Sequence, residues 1–176
     1  MSKMIPIKHV DSHMDELVSD LQILIRQPSV SAKNEGIEEC AVLVQKLLKK
    51  SGVHSEILRL KKGVAPIVYG EIKSKQNPKK TLMFYNHYDV QPAEPFDLWN
   101  DPPFSGTIKG NKIFGRGATD DKGELITRIK SVEACLKTTG DVPCNIKFVI
   151  EGEEETGSAH IEEYLKNTKQ NFHAMV

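Results

Sequence analysis

Residues that can bind a metal ion occur in three separate segments of the 176-residue chain. The first segment contains His87 and Asp89, and the second is a glycine-rich stretch that ends in Asp120 and Asp121. The third segment carries four glutamates between positions 151 and 155. Imidazole nitrogen and carboxylate oxygen are hard ligands that suit zinc or manganese. Taken together, the three segments therefore predict a metal site.

Each segment taken alone has another interpretation. Strand alternation places His87 and Asp89 on one face, where the acid can orient a metal-bound imidazole, but such a pair is also common in ordinary core or surface positions. The loop 115–123 precedes a helix and resembles a phosphate cradle, yet its spacing is not Gly-x-Gly-x-x-Gly and its two aspartates would repel a pyrophosphate. Those aspartates could instead cap the helix. The acidic run at 151–155 could be a solvated turn, or a cation could convert its repulsion into coordination.

The spacing of apolar residues predicts the elements that must position these segments. Apolar residues at helical spacing follow a capping box at Ser12 and Asp15 and predict a first helix that stops at Pro28. A second helix is expected from about Ile37 to Lys50, and Gly52 is its expected terminator. Helical and strand periods alternate, which is typical of an α/β domain. The further predicted elements are strands at 54–60, 67–72 and 81–90, a helix at 122–138, a strand at 145–150, a helix at 158–166 and a strand beginning near Phe172.

The three segments share a position relative to the predicted strands. Each lies at the carboxyl end of a strand or in the loop after it, which is where open α/β sheets bind their ligands. Between the first two segments, apolar residues alternate around Gly110 and Asn111 and predict a β-hairpin over 107–114 that forms a small flap.

Composition limits the classes of partner. Lys plus Arg and Asp plus Glu both number 24, so the net charge of zero favours neither nucleic acid nor an anionic membrane as a partner. The sequence contains no apolar run of signal-peptide or membrane-span length, from which we expect a cytoplasmic protein. The cysteines form no close pair, and we interpret all three as small core residues: Cys40, Cys135 and Cys144.

The three segments resemble the successive signatures of the co-catalytic di-zinc metallopeptidase family, which includes carnosinase-type dipeptidases, acetylornithine deacetylase, succinyl-diaminopimelate desuccinylase and carboxypeptidase G. The resemblance extends from about Ser12 to Val176. It implies a three-layer α/β domain with a central mixed, largely parallel sheet flanked by helices. The loop that contains Trp99 and Phe104 resembles the carnosinase-type branch, where it approaches the substrate, although these side chains could merely pack the loop against the domain.

The resemblance also implies a role for each site residue. His87 would bind one zinc ion, Asp120 would bridge two, and Glu155 would bind the first or the second. Asp89 would orient His87, and Glu154 would act as the general base of peptide hydrolysis by a metal-activated water. The peptide bond between Asp120 and Asp121 is expected to be cis.

The same family requires parts that the resemblance does not locate here, namely a further acidic ligand, a late histidine and an inserted lid domain that usually dimerises. Residues 1–176 would then form the N-terminal part of the catalytic domain. Of two zinc ions, or manganese or cobalt in their place, at most one would bind firmly to this chain. The expected substrate is a small peptide or an acyl-amino acid, and the full-length form is expected to be a homodimer. The alternatives are an N-acyl-amino-acid amidohydrolase and a non-catalytic metal-binding domain.

Overall fold

The computed structural model describes residues 4–167 and 174–175. The helices are α1 (Met4–Ser12), α2 (Met14–Arg26), α3 (Ile37–Lys50), α4 (Lys122–Thr139) and α5 (Ile161–Asn167). The strands are β1 (His54–Leu58), β2 (Ile67–Ile72), β3 (Thr81–His87), β4 (Thr107–Lys109), β5 (Lys112–Phe114), β6 (Asn145–Glu151) and β7 (Ala174–Met175). Short 3₁₀ turns cover Ser31–Lys33, Phe96–Leu98 and Glu154–Thr156.

The main sheet is mixed, as predicted. Its five strands follow the order β1-β2-β6-β3-β7, while β4 and β5 form the separate hairpin expected around Gly110. The pairs β1–β2 and β2–β6 are antiparallel, whereas β6–β3 and β3–β7 are parallel. Parallel pairing is therefore confined to the half of the sheet that contains β3, because β1 and β2 join β6 as an antiparallel ribbon.

Helices cover both faces of this sheet. Neighbouring residues of β6 point to opposite faces, so Phe148 and Val149 belong to different buried clusters. On one face, Phe148 packs in a cluster with buried residues of α2, α3 and α4, including Leu24, Ile25, Val44, Leu48, Ile126 and Ile129. On the other face, Val149 packs in a cluster with Tyr164 of α5 and with Ile67, Tyr69 and Met83. The result is the three-layer arrangement that the family resemblance implies.

The parallel pair β3–β6 brings the first and the third of the three segments together. The two strands pair in register from Thr81 and Asn145 at one end to His87 and Glu151 at the other. Because parallel strands have their carboxyl ends at the same edge of a sheet, the segment after β3 and the segment after β6 emerge side by side.

The N-terminal helices differ from the prediction. Ser12 closes α1 and does not cap α2, since its hydroxyl donates a hydrogen bond to the His9 carbonyl oxygen at 3.0 Å. The residue before α2, His13, makes no side-chain capping bond. The sequence pattern did not predict α1 because Pro6 usually marks a break. Proline is nevertheless tolerated in the first helical turn, where its missing N–H has no partner in the helix.

Two predicted strands extend beyond the observed ones. β1 ends at Leu58 and β3 ends at His87, so the residues from Tyr88 to Val90 form a loop that carries part of the site. The predicted start of the last strand, Phe172, lies outside the described residues, whereas β7 covers 174–175. Within the described ranges, no helix combines the length and the apolar character that crossing a bilayer requires.

Candidate metal centre

The side chain of His87 is fixed at the end of β3. It is 6% exposed, and its Nδ1 atom donates a hydrogen bond to the carbonyl oxygen of Asp89 at 3.1 Å. This contact places a proton on Nδ1 and directs Nε2 towards the second segment, where it lies 2.9 Å from Oδ1 of Asp120. A neutral imidazole in this orientation presents its Nε2 lone pair to a cation.

Asp89 connects the first segment to the third. Its wholly buried carboxylate accepts hydrogen bonds from the backbone N–H groups of Glu154 at 3.2 Å and Glu155 at 3.1 Å, and its Oδ1 lies 3.4 Å from Nδ1 of His87. Burial alone would raise the pKa of Asp89, but hydrogen bonds to its charged form outweigh burial and hold this pKa below its ordinary value. Asp89 is therefore a buried anion that fixes the acidic turn beside His87.

The two neighbouring aspartates point in different directions. The Asp120 side chain is 74% exposed and approaches His87, whereas Oδ2 of Asp121 accepts hydrogen bonds from Asn86 Nδ2 at 2.7 Å and from the His87 backbone N–H at 3.0 Å. The capping alternative is wrong for Asp121, since this residue precedes α4 without a side-chain capping bond. The peptide bond between the two aspartates is cis, as expected. Asp121 thus anchors this loop to β3, and the same loop presents Asp120 to His87.

Lys122 fixes the same loop from the opposite side. This side chain is wholly buried, and its Nζ donates hydrogen bonds to the carbonyl oxygens of Leu24 at 3.0 Å and Gln27 at 2.7 Å, at the end of α2. Desolvation lowers the pKa of Lys122. Its aliphatic stem and two hydrogen bonds join the start of α4 to α2, a role that the sequence pattern did not indicate.

The four glutamates of the third segment are not equivalent. Glu151 is buried, accepts hydrogen bonds from the hydroxyl groups of Tyr85 and of Ser158, and has a pKa raised by burial. Glu153 accepts a hydrogen bond from His160, whose Nδ1 lies 2.8 Å from Oε2 of the glutamate. Both carboxylates are thus held by other side chains.

The next two glutamates of this segment face the histidine. Glu154 and Glu155 begin the 3₁₀ turn after β6, and Oε2 of Glu154 lies 3.9 Å from Nε2 of His87. The chain can pass this close to the buried Tyr88 only because residue 152 is a glycine. A Cβ atom at Gly152 would lie 2.3 Å from the hydroxyl oxygen of Tyr88.

Three side chains converge into one group. His87, Asp120 and Glu155 each offer a ligand atom, and these atoms lie within 4.8 Å of one another. The group comes from three segments that are far apart in the sequence, and it combines one imidazole with two carboxylates. This donor set fits a divalent cation of the zinc or manganese type. It is a candidate metal site.

The electrostatics of the group favour a positive charge. Although burial lowers the pKa of His87, hydrogen bonding and charge from Asp89, followed by the charges of Asp121 and Glu154, raise this pKa to about 9. A proton on Nε2 and a metal ion would occupy the same direction from the ring, so the carboxylates that attract the proton also attract a cation.

A cleft of about 550 Å³ opens beside the three side chains, and its lining includes Asp120 and Glu155. Its other walls are the 98–102 loop and the end of the β4–β5 hairpin, with Trp99, Phe114 and Arg116 among the lining residues. The indole Nε1 of Trp99 donates a hydrogen bond to the Ala93 carbonyl oxygen at 2.7 Å, and the Arg116 guanidinium lies 5.4 Å from its ring centroid. Trp99 therefore both packs the loop and lines the cleft.

Known proteins are similar to this chain in sequence and in fold. The family model for peptidase family M20/M25/M40 matches residues 83–176. The Beta-Ala-His dipeptidase of Mus musculus is 34% identical over 188 residues, covering 96% of this chain and 37% of the relative. The Cys-Gly metallodipeptidase of Schizosaccharomyces pombe is 34% identical over 177 residues, covering 94% and 37%. The crystal structure of human carnosine dipeptidase 1 matches with a TM-score of 0.88 and 29% identity, covering 98% of this chain and 40% of that one.

The chain spans little more than a third of the length of these curated relatives. The family match covers over half of the 176 residues and includes all three segments that supply the metal-binding group. The chain belongs to peptidase family M20/M25/M40.

Proposed function

We propose that this chain forms the N-terminal part of the catalytic domain of a metal-dependent peptidase that hydrolyses the amide bond of small peptides. The observation that carries the proposal is the convergence of His87, Asp120 and Glu155 within 4.8 Å at the edge of a cleft. In this proposal, all three side chains are metal ligands. Residues of the first, second and third segments thus meet at one point without any of them being adjacent in sequence.

The proposed cation is zinc, with manganese or cobalt as chemically acceptable replacements, because one imidazole and two carboxylates suit all three ions. When bound, such an ion polarises a substrate carbonyl and lowers the pKa of water. Asp89 maintains the ring orientation that directs Nε2 of His87 into the group, through its carbonyl oxygen and its nearby carboxylate.

Glu154 is the proposed general base. Its carboxylate lies beside the three ligands, with Oε2 at 3.9 Å from Nε2 of His87, and its side chain is 43% exposed and therefore accessible to water. The carboxylate accepts a proton from the attacking water and returns that proton to the leaving amine. Asp89 positions this base as well, since it accepts a hydrogen bond from the Glu154 backbone N–H.

The proposed substrates are dipeptides. The names of the relatives describe hydrolysis of Beta-Ala-His and Cys-Gly. The cleft next to the ligands has a volume appropriate to a molecule of that size, and Trp99, Phe114 and Arg116 offer it apolar surface and one positive charge.

We further propose that Asp120 also binds a second cation, whose remaining ligands lie outside these 176 residues. A lid domain that forms a homodimer also lies outside them. The short span relative to the curated relatives supports this view. On this basis the 176-residue chain alone binds at most one ion firmly and hydrolyses peptides slowly.

The test uses the full-length natural protein. Its hydrolysis of Cys-Gly and Beta-Ala-His is measured beside its hydrolysis of an N-acetyl amino acid, before and after removal of metal by a chelator. We expect dipeptide hydrolysis that is lost with the metal and restored by zinc, manganese or cobalt. Faster cleavage of the acyl-amino acid would contradict the dipeptidase proposal. Absence of any metal-dependent hydrolysis would contradict the enzymatic role.

A further inference from the structure

The side chain of Gln91 contacts a proposed metal ligand. Its amide nitrogen Nε2 donates hydrogen bonds to the Glu155 carboxylate oxygen Oε2 at 2.8 Å and to the Glu155 carbonyl oxygen at 3.1 Å. An amide group has two N–H donors, and here they match two acceptors of a single residue. Gln91 thereby links the loop after β3 to the 3₁₀ turn after β6.

The three proposed ligands are not held equally. His87 is buried and fixed through Nδ1, and Asp120 contacts Nε2 of that histidine. Glu155 lies in a short 3₁₀ turn, and its backbone N–H is held by Asp89. That backbone contact leaves the long Glu155 side chain free to rotate, so the direction of its carboxylate depends on contacts made by the carboxylate itself.

We infer that Gln91 is a positioning residue that holds the Glu155 carboxylate towards His87 and Asp120, ready to bind the cation. This inference rests on the proposed role of Glu155 as a metal ligand. The hydrogen bond at Oε2 restricts rotation of the side chain, and the bond at the carbonyl oxygen ties the same amide to the backbone of the turn. Glu155 is thus oriented before the cation arrives.

The position of Gln91 allows a clean test. Its side chain is exposed, so replacing it removes hydrogen bonds without creating a cavity in the core. Methionine has nearly the shape of glutamine but no N–H donor. Gln45 provides a matched control, since its Nε2 donates at 3.1 Å to the carbonyl oxygen of Ser55, which belongs to β1 and not to the metal centre.

The experiment measures Co²⁺ binding by competition with a chromophoric chelator, together with the visible absorption spectrum of bound Co²⁺. We expect Gln91→Met to weaken Co²⁺ binding about 10- to 100-fold, the usual effect of losing a group that orients a ligand. The spectrum should change because the ligand geometry changes, while the thermal midpoint of the metal-free chain stays at the wild-type value. Gln45→Met should retain wild-type affinity and spectrum.

Wild-type affinity and spectrum in Gln91→Met would overturn the positioning role while leaving the proposed function intact. An equal loss in Gln45→Met would also overturn it, because the effect would then be general. Failure of the wild-type chain to bind Co²⁺ at all would instead overturn the proposed metal ligands, and the role of Gln91 with them.

Discussion

Replacement of Asp89 by asparagine tests how the buried anion organises the metal centre. The two carboxylate oxygens of Asp89 accept hydrogen bonds from the backbone N–H groups of Glu154 and Glu155. Asparagine has the same shape but only one acceptor oxygen, so its NH₂ group must face one of these N–H donors. One backbone donor therefore loses its acceptor at a partly buried position.

The expected cost follows from these contacts. A hydrogen bond to a charged group contributes about 1.5 to 3 kcal/mol, and a buried donor without a partner costs about 1 to 3 kcal/mol. Because both values describe the loss of the same contact, they are not added, and we expect Asp89→Asn to lower the free energy of unfolding by about 1.5 to 3 kcal/mol. The variant also loses the charge beside Nδ1 of His87, so zinc affinity should fall about 10- to 100-fold.

Urea unfolding of the metal-free chain at neutral pH measures the first effect, and zinc competition with a chromophoric chelator measures the second. Asp97→Asn makes the same chemical change at an exposed position and should leave both quantities unchanged. If Asp89→Asn unfolds at the wild-type urea concentration, the two hydrogen bonds to the Asp89 carboxylate do not stabilise the fold as expected. Reduced stability with unchanged zinc affinity would refute the orienting role of Asp89 and leave only a structural one.

Three further predictions concern the base, the acidic turn and the helical layer. Glu154→Gln in the full-length protein should reduce dipeptide turnover about 10²- to 10⁴-fold, as loss of a general base does, while zinc content measured by atomic emission stays unchanged. Gly152→Ala would place a methyl group 2.3 Å from the Tyr88 hydroxyl oxygen, so calorimetry should show a loss of about 1 to 3 kcal/mol in stability, and an unchanged melting temperature would contradict this packing. Burial raises the pKa of Asp20, but hydrogen bonds from Lys130 and Lys50 outweigh burial and leave this pKa below its ordinary value. The ionised Asp20 carboxylate therefore stabilises the fold above the pKa that it has in the unfolded chain. This stabilisation disappears as the pH falls through the pKa of the folded state. Asp20→Asn should therefore cost about 3 kcal/mol at pH 7 and progressively less in acid, and a cost independent of pH in urea unfolding would contradict the ion pairs.

The sequence predicts the elements whose burial pattern is regular. α3 occupies Ile37–Lys50 as expected, because its apolar residues repeat at helical spacing and face the core. The strands that carry the site are also predicted, since β6 is almost continuously buried and β3 ends at His87. The first helix is missed because its amphipathic pattern is weak and Pro6 interrupts it. An element is thus predicted where its apolar residues repeat regularly along the chain, and it is missed where they do not.

The candidate metal centre is predicted in part. The residue types and the resemblance indicate His87, Asp120 and Glu155, and the structure brings these three together. The surrounding contacts are not predicted, since they join positions that are distant in the sequence. Asp121 reaches the backbone of β3, and Lys122 reaches the end of α2. Such contacts depend on the packed arrangement of elements and leave no periodic pattern in the sequence.

The most direct test of the metal centre is a crystal structure of the chain grown with zinc and measured at the zinc absorption edge. We expect an anomalous peak about 2.0 to 2.2 Å from Nε2 of His87 and from a carboxylate oxygen of each of Asp120 and Glu155. A zinc-loaded crystal whose anomalous peaks all lie elsewhere, with these three side chains unchanged, would contradict the proposed set of metal ligands.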